Sequence, residues 1–219
     1  MERNFETVMI EQCSPVLAGI KPANLFRYVT RDKAGLYRTV EDWNAQLNGR
    51  GLHLRVMKEC PHGEWYLLYL YRPARLGPIL AGEETGRFLE QEGYTLPARP
   101  DSPAGCQVLL DQLARRLECG GEFPHEIGVF LGYPLADVIG FIRNRGQNFT
   151  FCGFWKSYSD PDDARRYFCQ LKKCTDVYLR LFHSGTPILR LAVAAQVVPN
   201  LPKKSGPWRE TSCLFSQTY

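Results

Sequence analysis

The chain lacks most of the short motifs that would name a chemistry outright. It has no Gly-x-Gly-x-x-Gly, no Walker-type loop and no Gly-x-Ser-x-Gly elbow, which removes support for the common dinucleotide, P-loop and α/β-hydrolase sites. No Cys-x-x-Cys occurs among the eight cysteines, at 13, 60, 106, 119, 152, 169, 174 and 213, and Cys169 with Cys174 forms only a lone pair five apart. A zinc ribbon or iron–sulfur cluster therefore lacks its usual ligand spacing. No uninterrupted apolar run reaches the roughly 18 residues of a membrane helix, since even the stretch from Ile188 to Val198 is broken by Arg190 and Gln196. The amino-terminal residues carry Glu2, Glu6 and Glu11 and so lack the apolar core of a signal peptide. A cytoplasmic protein with no membrane association is expected, its cysteines mostly reduced thiols.

Charge of one sign is also missing. Lys plus Arg number 27 against 23 Asp plus Glu, a net +4 that is scattered along the chain. No nucleic-acid partner is expected on that basis, although a local basic pocket for a small anionic ligand, a carboxylate or phosphate, stays open.

What the chain does have is globular material. Of its 219 residues 44% are hydrophobic and 12% aromatic, enough to bury a core. We expect one α+β domain over residues 1–198, a small antiparallel sheet packed by several helices, with a flexible tail over 199–219. Phe5, Val8 and Met9 have helical spacing, and Cys13-Ser14-Pro15 predicts the end of that first helix. The following Val16 to Pro22 suits a buried strand or a tight turn. Val40, Trp43 and Leu47 mark a helix stopping at Asn48-Gly49, and Leu52 to Tyr71 reads as an antiparallel hairpin turning at Cys60-Pro61-His62-Gly63. Two helices follow between Glu83 and Leu117. Two short ones, split at Gly132-Tyr133-Pro134, cover Pro124 to Arg145, and Phe149 to Tyr158 reads as a strand. Asp160-Pro161-Asp162-Asp163 is a helix start, with a long helix expected to about His183 and an apolar element of open type from Ile188.

The densest chemistry lies between Phe123 and Tyr158. His125 is the histidine that stands beside a carboxylate, Glu126, in sequence. It suits a general base, a metal ligand or an axial haem ligand, against the plainer reading of a helix-start histidine bonded to backbone. A zinc-protease pattern fails, because the fourth residue after His125 is Val129. Cys13, before Ser-Pro and an apolar glycine-containing segment, suits an activated thiolate, and with His125 as base it would make a nucleophile couple; an inert buried cysteine is the plainer reading. Cys60 and His62 offer haem ligands only if the turn that holds them is more than a turn. Lys21, Lys156, Arg143 and Arg145 are the cations nearest these segments. Alternation along Phe154 to Tyr158 sends Trp155 and Ser157 to one face and Lys156 to the other.

These segments resemble those of bacterial proteins, many from anaerobic Firmicutes, described as domain-of-unknown-function family 3793. The resemblance rests on Cys13-Ser-Pro-Val-Leu-Ala-Gly-Ile-Lys21, Gly93-Tyr94, Phe123-Pro-His-Glu-Ile-Gly-Val-Phe-Leu-Gly-Tyr-Pro134 with Asp137-Val138, Gly153-Phe-Trp-Lys-Ser-Tyr158 and Cys174, nearly the whole chain to about Val193. Members often carry His before the first Cys, where this chain has Gln12. The resemblance implies no established activity, and its association with flavodoxin and iron-handling contexts implies redox or iron physiology. It also ties the two motif regions into one bipartite centre, with the amino-terminal motif meeting His125. We therefore expect an accessory protein that binds a small cofactor, haem, iron or flavin, in a pocket lined by His125, Tyr133, Trp155, Lys156 and Lys21, with a flavodoxin-type partner. The alternatives are a cysteine-dependent enzyme using Cys13 and His125, and an interaction module without a small ligand.

Overall fold

The computed structural model describes residues 3–118 and 122–194. Its order is α1 (Phe5–Leu17), β1 (Ala23–Val29), α2 (Lys33–Leu47), a 3-10 turn at Asn48–Arg50, β2 (His53–Glu59), β3 (Trp65–Tyr71), α3 (Pro73–Leu80), α4 (Glu83–Gln91) and α5 (Pro103–Glu118). There follow α6 (Ile127–Phe130), α7 (Leu135–Arg143), β4 (Phe151–Cys152), β5 (Lys156–Ser157), α8 (Pro161–His183) and α9 (Ile188–Leu191). The expected α+β architecture is the observed one. A three-stranded sheet in the order β1-β3-β2 is antiparallel throughout, and helices cover both its faces.

The central strand shows why. In Trp65–Tyr71, Tyr66, Leu68 and Leu70 point into a core shared with α1, α2 and α9, while Tyr69 and Tyr71 point into a second core shared with α3, α4 and α5. The period of two puts alternate residues on opposite faces, and because both are apolar the strand is covered on both sides. A bulge in β2 between Val56 and Lys58 shifts its register and carries Met57 into the second core.

Several expected boundaries move. The first helix does not stop at Pro15 but continues to Leu17. Proline costs most in a helix interior, and here it stands in the last turn, where its own carbonyl accepts the N–H groups of Ile20 and Lys21 at 2.8 and 3.0 Å. Of Val16 to Pro22, the first two residues finish the helix and Ala18 to Pro22 form a turn, with Gly19 at φ 72° just past the helix end. Phe149 to Tyr158 is no continuous strand but a small hairpin of two-residue strands. Neither β1 nor α3 was expected. Residues 199–219, expected as a tail, lie outside the described residues.

Two devices place the Phe123 to Pro134 segment. The Tyr69 hydroxyl donates to the Phe130 carbonyl at 2.5 Å, tying α6 to the sheet. Behind it Glu126, 2% exposed, accepts from Arg116 Nε at 2.6 Å and from the Tyr94 hydroxyl at 3.0 Å, which fixes the segment to α5. At Gly132 φ is 75°, and a Cβ there would stand 2.2 Å from Pro22 Cγ. Only glycine allows that approach, and through it the amino-terminal motif touches the turn between α6 and α7.

Candidate functional site

The second motif region is organised by a residue to which the sequence reading gave no role. Asp137, in the first turn of α7, is 2% exposed. Its carboxylate accepts from the Trp155 indole at 2.8 Å, the Ser157 hydroxyl at 3.1 Å, the backbone N–H groups of Tyr158 and Ser159 at 2.7 and 2.9 Å, and the Ser159 hydroxyl at 2.7 Å. Burial alone would raise its pKa, but the bonds from Ser159, Trp155, Tyr158 and Ser157 outweigh it and hold the carboxyl below its ordinary value. The charged form thus clamps the β4–β5 hairpin onto α7. An acidic residue followed by a serine-rich strand end was the only signal for it in the sequence.

Clamping sets the aromatic geometry. Trp155 stacks on Tyr133 with ring centroids 4.4 Å apart and meets Phe168 of α8 edge-on at 4.3 Å. Trp155 and Ser157 share the Asp137 side, whereas Lys156 turns away and donates to the Gly146 carbonyl at 2.8 Å, as strand alternation requires.

These residues enclose a cavity of about 360 Å³, whose lining includes Phe123, His125, Tyr133, Phe141, Trp155 and Lys156. His125 packs edge-on against Phe141 at 4.9 Å. Its Nε2 stands 3.9 Å from Glu122 Oε1, too far for a hydrogen bond.

A second cavity of about 460 Å³ lies beyond Tyr133 and Phe154, which line both. It is lined also by Lys21, Asn24 and Gln12, and by Thr175 and Asp176 of α8. Lys21 Nζ lies 5.3 Å from the centre of the Tyr133 ring. The two motif regions therefore do meet, but at Lys21 and Tyr133 and at Pro22 and Gly132 rather than at His125.

Cys13 is fully buried in the core around α1. Burial pushes its thiol well above the ordinary range, against the opposing pull of Lys21 and Asn24. Its polar neighbours are Lys21 and Asn24, while those of His125 are Glu122 and aromatic rings. Cys60 is buried in the hairpin turn, where its N–H bonds the Trp65 carbonyl at 2.8 Å. Arg143 and Arg145 are not in the lining of either cavity. Among the described residues no group of three or more His, Cys, Asp and Glu side chains could hold a metal ion, and no helix is long and apolar enough to cross a membrane.

Arg72 was also missed by the sequence reading. The residue is 2% exposed, and its guanidinium donates to the carbonyls of Val16, Leu17 and Val193 at 2.7, 2.8 and 2.7 Å and of Arg50 at 3.2 Å. It thereby satisfies the carbonyls left free at the end of α1. An arginine before a proline gave no hint of this.

Neither the curated proteins nor the solved structures contain a match to this chain. A family model does match residues 9–192, a span holding both motif regions and both cavities, and the chain belongs to that family, described as Protein of unknown function (DUF3793).

Proposed function

We propose that the chain is a cytoplasmic accessory protein that binds a planar, fused-ring cofactor of the flavin class in the cavity between His125 and Trp155. The observation that carries this reading is an apolar, aromatic-walled space into which a few polar groups converge. Such a lining is typical of small-molecule sites, whose volumes run from about 300 to 1,000 Å³. At about 360 Å³ the cavity sits near the lower end, which favours a single fused ring system over a macrocycle. Phe141, Tyr133 and Trp155 supply an aromatic wall, His125 an imidazole, and Lys156 an ammonium with one of its three donors used on Gly146.

Haem is the second ligand to try, since His125 is placed to meet an iron from the cavity wall. A bare iron ion gains no support, because no ligand set of three accompanies His125 among the described residues. The free thiols of Cys13, Cys60, Cys106, Cys152 and Cys174 suit a reducing compartment. The flavodoxin-type partner rests on the family resemblance, together with a rim that leaves Phe123 and Phe154 49% and 46% exposed.

The reading of Cys13 as a nucleophile loses weight through its burial. The test of our reading is titration of the purified protein with FMN, riboflavin and haemin, followed by flavin fluorescence, Soret absorbance and thermal shift. Saturable binding of FMN or riboflavin that His125→Ala and Phe141→Ala weaken supports it. Haemin binding without flavin binding would replace the ligand class, and no saturable response to any of the three would overturn the reading.

A further inference from the structure

Lys21 is a buried cation without an acidic partner among the described residues. Its residue is 5% exposed, because the turn after α1 folds it back so that its own N–H bonds the Pro15 carbonyl at 3.0 Å. Its Nζ donates to Asn24 Oδ1 at 3.0 Å and lies over the Tyr133 ring. An ammonium has three donors, and taking one out of water without a counter-charge is expensive.

The neighbouring charges are engaged elsewhere. Glu11 pairs with Arg3, and Asp176 pairs with Lys172 at 3.1 Å. The Asn24 amide N–H groups donate to the carbonyls of Gln12 and Leu25 at 2.8 and 3.4 Å. Cys13, the titratable group nearest in the core, is kept neutral by burial and supplies no counter-ion.

The three groups that define the position of Nζ, namely Lys21 itself, Asn24 and Tyr133, all line the 460 Å³ cavity. We propose that this cavity binds the carboxylate of a small monocarboxylic acid, with Lys21 Nζ as its counter-ion. The charge pattern selects a monoanion. Lys21 is the one cation in the lining without an acidic partner, and the carboxylates of Glu11 and Asp176 in the same lining oppose a second negative charge. The apolar part of the acid has Pro15, Val16, Leu25 and Phe154 to rest on. This site shares Tyr133 and Phe154 with the proposed cofactor cavity but does not rest on that reading.

Burial draws Lys21 down to about 8, with Cys13 acting in the opposite sense. The carboxylate binds the protonated amine, so affinity should fall about tenfold per pH unit above that value. The other titratable groups facing the site are Cys13, Tyr133, Glu11, Lys172 and Asp176. Burial raises Cys13 and Tyr133, the latter to about 12, which leaves Lys21 to account for a transition near 8.

The experiment is calorimetric and thermal-shift titration of the full chain at pH 7 with sodium acetate, propionate and benzoate. Inorganic phosphate is the rival anion and sodium chloride at matched ionic strength the control. Expected is saturable binding of at least one monocarboxylate, weakened about tenfold or more in Lys21→Met, and weakened again between pH 8 and 9 in the native chain. Near-ultraviolet circular dichroism establishes that Lys21→Met is folded, and Lys21→Gln serves as a second variant. Overturning results are no saturable binding beyond chloride, preference for phosphate, or undiminished binding by both folded variants.

Discussion

Asp137 and Trp155 are joined by a hydrogen bond from indole Nε1 to carboxylate Oδ2 at 2.8 Å, and that bond makes the aromatic wall of the first cavity depend on a charge. Replacing Asp137 by Asn keeps the shape but turns part of an acceptor into a donor facing other donors. A cost of about 3 kcal/mol at pH 7 is expected, as for a buried charge-assisted network that loses its acceptor. The folded carboxyl titrates below its ordinary value, so its contribution is full above the unfolded pKa and fades as pH falls through the folded one. Urea midpoints of the native and Asp137→Asn chains should therefore converge as pH drops below about 3.8. A loss under about 1 kcal/mol, or a gap indifferent to acid, would contradict this account of the clamp.

How much of this was legible in the sequence depended on whether the determining partner lay nearby in the chain. The β2–β3 hairpin was legible because alternation and a Gly63 turn are local, and α8 because Asp160 caps it within three residues. Strand β1 was not, since Ala23–Val29 is held as a strand by pairing with Trp65–Tyr71 far along the chain. In the site, the meeting of the two motif regions could be anticipated, but the point of contact could not. It rests on Gly132 letting Pro22 approach and on Lys21 reaching Tyr133, neither of which has any sequence periodicity. Asp137 looked like an ordinary helix-start acid.

Arg72 offers a sharper test of packing at the end of α1. Its fork spans carbonyls of Val16, Leu17, Arg50 and Val193, and burial lowers its pKa to about 10 without discharging it near neutrality. Arg72→Ala should cost about 3 kcal/mol by thermal or urea unfolding. Arg72→Lys should recover little of it, because a compact ammonium cannot reproduce a planar fork over four acceptors. Full recovery by lysine would mean that charge, rather than geometry, holds the helix end.

Thiol mapping separates an inert Cys13 from a nucleophile. Cys152 is exposed while Cys13 is buried with a raised thiol pKa. Under native conditions iodoacetamide should therefore label Cys152 roughly a hundredfold faster than Cys13, and urea should abolish the difference. Mass spectrometry of timed digests reads this directly. Native-state alkylation of Cys13 at the rate of Cys152 would revive the cysteine-dependent enzyme.

The unpaired charge of Lys21 should be visible in stability as well as in binding. Its folded pKa of about 8 lies below the ordinary 10.5, with burial as the main cause. For a cation that direction means the unfolded chain holds the proton more tightly, so stability rises with pH between the two values and the penalty is complete below the lower one. At roughly 1.4 kcal/mol per pH unit the penalty near neutrality is about 3 kcal/mol. Lys21→Met, which keeps the length of the side chain and discards the charge, should be more stable than the native chain at pH 7 by about that amount. The advantage should shrink as pH is raised from about 8 and vanish above about 10.5, where the amine is neutral before and after unfolding. Urea unfolding of both chains at pH 7 and pH 9.5 decides it, in buffer free of carboxylate. A variant less stable than the native chain at pH 7, or an advantage that does not shrink at the higher pH, would show that Lys21 already has a counter-charge within the fold.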